Sequence, residues 1–308
     1  MKKLMLALLA VTMLISGCSR KDGAAMKVGD VVIRKSFIDY LSKTYSDQAG
    51  GTISDEAVKK ARTVAEDIAT YAAIGHIMRL DIAEEYEAYL KTLEKQYGDL
   101  DKLKEERKIS HELFEFINYG EVYRSKLLEV CKEENEITKE KKTEYFYAKY
   151  WRAKHLLLLT EGKSTQEKQE LKEKITSLYN LVKTGADFDR LIDEYNEDPG
   201  VRSNPDGYVF TNGEMVPEFQ HAVAQIEAGS FNIAETSYGY HIVQRLPIDE
   251  TPELFEKFFA EVEPEINQKL VDDIFTEFIK NKVSELDIQI IDYTGESQKD
   301  IIKKDDVE

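Results

Sequence analysis

Two histidines and an aspartate are the residues whose types and settings suit chemistry. His155 follows Lys154 and opens the apolar run Leu156-Leu157-Leu158-Leu159, which suits a short buried strand. His241 lies in a second run, where Tyr240, Ile242 and Gln244 alternate with His241, Val243 and Arg245. Alternate strand residues point to opposite faces, so each run gives its histidine a defined facing. Asp198 falls between them in the loop sequence Asn196-Glu197-Asp198-Pro199-Gly200. Two imidazoles and a carboxylate in one pocket can place hydrogen-bonding groups around a polar ligand. No close acidic or cysteine spacing accompanies either histidine, so the pattern is not that of a zinc site, and neither metal nor cofactor is expected. His76, His111 and His221 sit in helical patterns and read as surface or packing residues.

Further motifs fill the interval in a fixed order. Phe210 comes first, then Gly213-Glu214-Met215-Val216-Pro217-Glu218-Phe219, then Thr236-Ser237-Tyr238-Gly239-Tyr240-His241-Ile242-Val243. Over Ala153 to Leu246 this order resembles the parvulin-type peptidyl-prolyl cis/trans isomerases. Several separate motifs in sequence are far more specific than a lone short match. The resemblance implies a small antiparallel sheet with surrounding helices. It implies catalytic roles for His155, Asp198 and His241. It also implies an apolar proline pocket made by Met215 and Phe219, with Phe210 and Tyr238 among the substrate-binding residues.

Such chemistry needs no nucleophile. The amide rotates over a barrier of about 18–20 kcal/mol, and a catalyst must bind the twisted amide better than either planar form. Each assignment has a structural counterpart. The histidines act on the substrate, or they bond each other or a hydroxyl and hold the sheet. Asp198 is a site carboxylate whose partial burial would let it donate a hydrogen bond when protonated, or it is a turn residue beside Pro199-Gly200. Phe219, in step with Val223 and Ile226 on one helix, is a pocket wall or plain core, and Met215 shares that ambiguity. The stretch Asn204-Pro205-Asp206-Gly207-Tyr208 departs from the Gly-Gly-Asp/Glu-Leu-Gly of relatives. Gly207 then stands where an apolar pocket side chain is expected, which implies a wider pocket or weaker activity.

Helical segments flank this region on both sides. Ser36 is placed to cap a helix carrying Phe37, Tyr40, Leu41 and Tyr45, after a small β-element around Gly29-Asp30. Ser54 opens a long helix with Val58, Ala61, Ala65, Ile68 and Ala72 at helical spacing. Further helices are expected around Ile82 to Leu93, from Ser110, and over Thr138 to Tyr150. All six prolines lie at or after Pro199, and proline costs roughly 3 kcal/mol inside a helix, so the first 198 residues suit an all-helical region. After Leu246, Thr251 and Pro252 suit an N-cap and first helical position. An apolar stripe then runs from Phe255 through Phe258, Phe259, Val262, Ile266, Leu270 and Ile274 to Phe278, with Pro264 as a candidate kink. Leu286 to Ile291 has strand character. The stripe needs a partner, and the N-terminal helices are the expected one. The expected fold class is therefore α+β: a parvulin domain inserted in an all-helical chaperone lobe built from both chain ends. This layout resembles the PrsA/SurA-like foldase lipoproteins.

The termini and the composition complete the reading. Lys2 and Lys3 precede an apolar stretch, Leu4 to Ile15, of about 12 residues where a span needs about 20. It ends in Leu14-Ile15-Ser16-Gly17-Cys18, which resembles a bacterial lipobox and implies cleavage before Cys18 and lipidation of its sulfur; an ordinary secretory signal is the alternative. A lipidated Cys18 leaves Cys131 alone, so no disulfide is expected. The expected division is a signal peptide over 1–17, a lipidated cysteine and tether over 18–25, an N-terminal lobe over 26–150, the isomerase domain over 151–247, a C-terminal helix over 248–292 and a charged, disordered tail over 293–308. With 42 basic and 59 acidic residues the formal net charge is −17, which disfavours nucleic acid as a partner.

The expected function is a membrane-anchored, extracytoplasmic isomerase and foldase at the bacterial cell envelope. Its expected partners are folding exported polypeptides with X-Pro bonds and the membrane through Cys18, with a possible homodimer. A non-catalytic holdase that uses the same domain only to bind peptides is the alternative, and an assembly or adhesion lipoprotein a third.

Overall fold

A computed structural model of the chain describes residues 22–47 and 52–293. The signal segment, Cys18, the Gly50-Gly51 loop and all of the tail beyond Tyr293 lie outside the described residues. In chain order the elements are β1 Ala24–Val28, β2 Val31–Arg34, α1 Lys35–Asp47, α2 Asp55–Met78, α3 Ala83–Tyr97, α4 Leu100–Arg107, α5 His111–Glu134, α6 Lys139–Lys149, β3 Tyr150–Leu159, α7 Thr165–Lys183, α8 Phe188–Tyr195, β4 Tyr208–Thr211, α9 Pro217–Ala224, β5 Phe231–Glu235, β6 Gly239–Leu246, α10 Pro252–Glu285 and β7 Ile290–Asp292. They form two compact units, one from residues up to Asn135 together with Ile274 onward, the other from Glu136–Asp273.

Helix starts in the first unit follow capping chemistry. Ser54 accepts a bond from the Ala57 N–H at the start of α2, and Ser110 does the same for Leu113 in α5. Each satisfies an amide that the helix leaves without a partner. Ser36 differs from expectation. The helix begins one residue earlier, and the Asp22 carboxylate receives both the Ser36 N–H at 3.0 Å and its hydroxyl at 2.7 Å. On α2, Ala61, Ala65, Ala69 and Ala73 are fully buried, and α2 meets α5 closely where Gly75 lies against Tyr123 and Gly120 against Ile68.

The first unit is not all-helical. It holds a three-stranded antiparallel sheet in the order β2-β1-β7, so both ends of the chain meet in one sheet. Val28 and Ile33 enter its core from the sheet, and Phe275 and Phe278 enter from the end of α10.

The second unit is wider than the 151–247 segment. Its four-stranded antiparallel sheet runs β4-β3-β6-β5. One face, with Leu156, Leu158, Tyr240 and Ile242, packs on α7 and α8. The other, with Ala153, Phe210, Ala234 and Val243, packs on α9. A further cluster joins Phe146 and Tyr150 to Ile248, Phe258, Phe259 and Ile266. The first part of the α10 stripe is therefore covered by α6, the last of the helices expected in the N-terminal lobe, and by the start of β3, and this α6 belongs to the second unit. The aromatic bulk of Phe146 and Tyr150 has to be buried locally, and Phe258 and Phe259 do it. Helix α10 continues through Pro264.

Close helix packing in the first unit gives a test. A Cβ at Gly120 would run into the Ile68 side chain, and one at Gly75 into the Tyr123 ring. Gly120→Ala should lower stability in urea unfolding by about 1–3 kcal/mol, although alanine is the better helix former by about 1 kcal/mol. A gain in stability would show that the α2–α5 approach is looser than described.

Candidate active site

Strand register brings the two histidines together. In the β3–β6 ladder His155 pairs with Val243 and Leu157 with His241. Directly paired residues share a face, so both imidazoles project from the face that packs on α9. Ala153 pairs with Tyr208 and Trp151 with Phe210 in the β3–β4 ladder, which puts both aromatics on that face too. Beyond the end of β4, the free edge of β3 is taken by the loop after α8. Leu157 N–H donates to Asn196 Oδ1 at 2.9 Å, and Glu197 N–H to the Leu157 carbonyl at 2.9 Å. Leu159 N–H donates to the Glu197 carboxylate at 2.6 Å. These bonds deliver Asp198 to the histidines.

The Asp198 carboxylate is the centre of the polar group. Its Oδ2 receives His155 Nε2 at 3.0 Å and the Tyr208 hydroxyl at 3.1 Å. Its Oδ1 receives the Gly200 N–H at 2.9 Å. Three donors converge on this carboxyl, which is placed as their acceptor. It also heads the 3-10 turn Pro199–Ser203, so one residue both caps the turn and receives the His155 and Tyr208 hydrogen bonds.

The imidazoles lie almost out of solvent, 8% exposed at His155 and 4% at His241. Their ring centroids are 5.5 Å apart, and Phe219 stands edge-on to them at 5.3 and 5.6 Å. His155 stacks on the Tyr208 ring at 5.5 Å and 17°. His241 Nε2 lies 2.9 Å from Thr236 Oγ1, which also accepts the Tyr238 N–H at 3.1 Å.

Facing the carboxylate, His155 carries its proton on Nε2. His241 Nε2 and the Thr236 hydroxyl share one hydrogen bond, and which of them donates follows the tautomer of His241. The Thr236 hydroxyl also has the Gly239 carbonyl at 3.4 Å. Both buried Nδ1 atoms lack a hydrogen-bond partner among the described residues.

Burial sets the charge states. It pulls His155 below the ordinary imidazole value although Asp198 pushes the other way. It brings His241 down to about 4, with a further push from His155 and an opposing pull from Asp198. The Tyr208 hydroxyl is raised to about 12, first by burial and then by the negative Asp198. At neutral pH the imidazoles are neutral and the phenol is a donor. Among the described residues no group of three or more His, Cys, Asp or Glu side chains is placed to hold a metal ion.

The remaining expected residues divide. Phe210 and Phe219, 1% and 4% exposed, pack into the core under the histidines, with Met215 partly buried beside them. They form a floor more than an open wall. Tyr238 stands 58% exposed on the turn between β5 and β6 and makes no ring contact with the histidines among the described residues. A cleft of about 570 Å³ opens on the carboxylate side, lined by His155, Asp198, Tyr208, Pro205, Val201 and Ile192 among others. Gly207 also lines it, and has φ 90° with space for no side chain, because a Cβ would come within 2.9 Å of the Ala153 carbonyl oxygen. This glycine makes the turn into β4.

Tyr208 and Thr236 belong to the constellation and were not singled out from the sequence. Tyr208 was accessible to period-two reasoning, standing two residues before Phe210 on the same face. Thr236 lies just across a tight turn from His241, and only the register shows that the two meet.

The buried imidazoles predict a pH dependence of stability. An unfolded histidine takes its proton near pH 6.5, whereas folded His241 takes it near 4. As pH falls from 6.5 to 4 the unfolded chain therefore binds more protons, and stability present above 6.5 is lost, by about 3 kcal/mol from this residue. Urea unfolding at several pH values should show a shallower slope in His241→Phe than in the parent. An unchanged slope would mean that His241 is not buried neutral.

Residues 135–246 match the model of the PPIC-type PPIase domain. The chain is 27% identical over 308 residues to the foldase protein PrsA of Halalkalibacterium halodurans, covering 95% of this chain and 86% of that protein. It is 30% identical over 131 residues to the chaperone SurA of Alkalilimnicola ehrlichii, covering 42% of this chain and 30% of that longer relative. Among solved structures, PrsA of Bacillus cereus is similar over 86% of this chain and 94% of its own, at 21% identity and a TM-score of 0.38.

Proposed function

We propose that this chain, a PrsA/SurA-like foldase whose residues 135–246 belong to the PPIC-type peptidyl-prolyl isomerase domains, accelerates rotation about X-Pro bonds of folding polypeptides without covalent chemistry. The observation that carries this reading is the Asp198 carboxylate, oriented by His155, Tyr208 and Gly200 at the wall of the cleft. An amide twisted out of plane loses its resonance, so its carbonyl oxygen sheds negative charge and its nitrogen regains a lone pair. A fixed carboxylate beside that oxygen repels the twisted form less than the planar one. That difference lowers the barrier, because only interactions that favour the transition state do so. Neutral imidazoles and the Phe219 floor keep the surroundings dry, where such a charge acts over a lower dielectric.

Asp198→Asn keeps the shape and removes the charge. It should lower kcat/KM for prolyl isomerisation by at least about tenfold, on the order of 1.4 kcal/mol, in a proline-limited refolding assay. Parent activity in this variant would take Asp198 out of the chemistry.

A second reading has a specific observation behind it. The aromatics expected to grip proline are buried, so the cleft presents mainly polar and aliphatic walls. A peptide-binding chaperone without catalysis fits that lining. It predicts that the chain suppresses client aggregation equally well with Asp198→Asn, and an isomerase rate at background.

We also place the protein on the extracytoplasmic side of a bacterial membrane, held by lipid on Cys18. The Leu14-Ile15-Ser16-Gly17-Cys18 run and the PrsA relatives support this. No helix of the described residues is long and apolar enough to cross a membrane. Acyl chains on one cysteine would supply the anchor, each buried methylene contributing about 0.8 kcal/mol. Cys18→Ser should move the chain from the membrane to the soluble fraction and abolish incorporation of labelled palmitate. Retention at the membrane without label would reject a lipid anchor on this residue.

A further inference from the structure

Three contacts converge on Tyr208, which no sequence motif assigns. It opens β4 directly after the Gly207 turn. Its hydroxyl meets Asp198 Oδ2, the same oxygen that receives His155 Nε2, and its ring lies nearly parallel to the His155 imidazole. On the far side stands Gly200. A Cβ there would be 2.7 Å from the Tyr208 hydroxyl oxygen and 3.2 Å from Asp198 Oδ1. The φ of Gly200 is not in the left-handed region, so space and not backbone conformation is what favours glycine at this position. The turn that delivers Tyr208 is clamped as well. Arg152, buried in β3, donates from Nε to the Asp206 carbonyl at 2.7 Å, and the Asp206 carboxylate pairs with Lys257 at 2.7 Å.

We infer that Tyr208 is a positioning residue of the isomerase site: its hydroxyl fixes the direction of the Asp198 carboxylate, its ring fixes the tilt of His155, and Gly200 stays small to admit it. This rests on the reading of Asp198 as the group that acts on the substrate. A carboxylate with two donors on Oδ2 and one on Oδ1 has a single orientation. Without the phenol, Oδ2 keeps only His155, and the group is free to rotate about its Cβ–Cγ bond. A charge that must reorganise during the reaction does less than one already in place. The phenol stays protonated throughout the working range, so it donates at every pH at which the site operates. The Asp206–Lys257 and Arg152 contacts hold the turn, so the hydroxyl arrives at the same point each time the cleft is occupied.

Three variants of the full chain test this: Tyr208→Phe, Gly200→Ala and the two together. Each is assayed for isomerisation of a short Ala-Pro peptide, and the His155 imidazole is titrated by NMR. Tyr208→Phe should lower kcat by about fivefold and leave KM within about twofold, since binding is kept and only transition-state placement is lost. It should also raise the pH at which His155 titrates, because a carboxylate relieved of one donor holds an imidazolium more firmly. Gly200→Ala should cost a similar factor in the parent and much less in the Tyr208→Phe chain, since both changes break one contact.

Parent-like kcat together with a parent-like His155 titration in Tyr208→Phe would overturn the inference. So would an equal cost of Gly200→Ala in both backgrounds. If the parent chain shows no isomerase activity, the isomerase reading itself fails, and an unmoved His155 titration in Tyr208→Phe then rejects the contact independently. Circular dichroism of each variant separates these results from loss of the fold.

Discussion

The hydrogen bond from buried His155 to Asp198 is the interaction on which the site depends. It joins a neutral imidazole in the middle of a sheet to a carboxylate on a loop. Burying either group alone would be costly, because a buried polar atom without a partner forfeits about 1–3 kcal/mol. Together they satisfy each other, and the loop after α8 becomes part of the sheet by bonding to the open edge of β3. The same burial keeps the imidazoles uncharged, and in the proposed mechanism the lower dielectric on that side of the cleft strengthens the effect of the Asp198 charge.

This arrangement explains the extra elements of the second unit. The Gly207 turn would be an exposed loop if β3 and β4 were all that held it. Arg152 reaches from β3 to the Asp206 and Pro247 carbonyls and to the Glu250 carboxylate, with Phe258 under its guanidinium. Lys257 adds a pair on Asp206, partly exposed and worth little by itself. The beginning of α10 therefore braces the turn that carries Tyr208, and α6 supplies Phe146 to bury the helix. Residues beyond the matched isomerase segment thus serve its geometry.

Much of this was legible in the sequence, for stated physical reasons. Ser54, Ser110, Thr138 and Thr251 marked helix starts because a hydroxyl before an apolar period has one favourable use. His155 and His241 were legible through alternation in strands. Tyr208 and Thr236 were not, because their roles depend on register and on a turn that folds back, which local pattern does not encode. Phe219 illustrates the converse: its spacing fitted both a pocket wall and a core position, and its 4% exposure places it as the floor. The α10 stripe was correctly read as apolar but assigned one partner, whereas its two ends enter different cores. In the first lobe the β-element around Gly29-Asp30 and the strand character near Ile291 were legible, but the pairing of β1 with β7, which joins segments far apart in the chain, was not.

The central claim is that a fixed carboxylate beside neutral imidazoles turns an X-Pro amide. Two-dimensional NMR exchange on a short X-Pro peptide, with catalytic amounts of the chain added, reads it most directly. Uncatalysed exchange takes tens to hundreds of seconds and gives no cross-peaks at a mixing time of about a second. The account predicts cis–trans cross-peaks within that time, together with shifts at His155 and Tyr208 when peptide is in excess. Shifts at those residues without any exchange cross-peaks would contradict it, leaving a cleft that binds peptides and does not turn them.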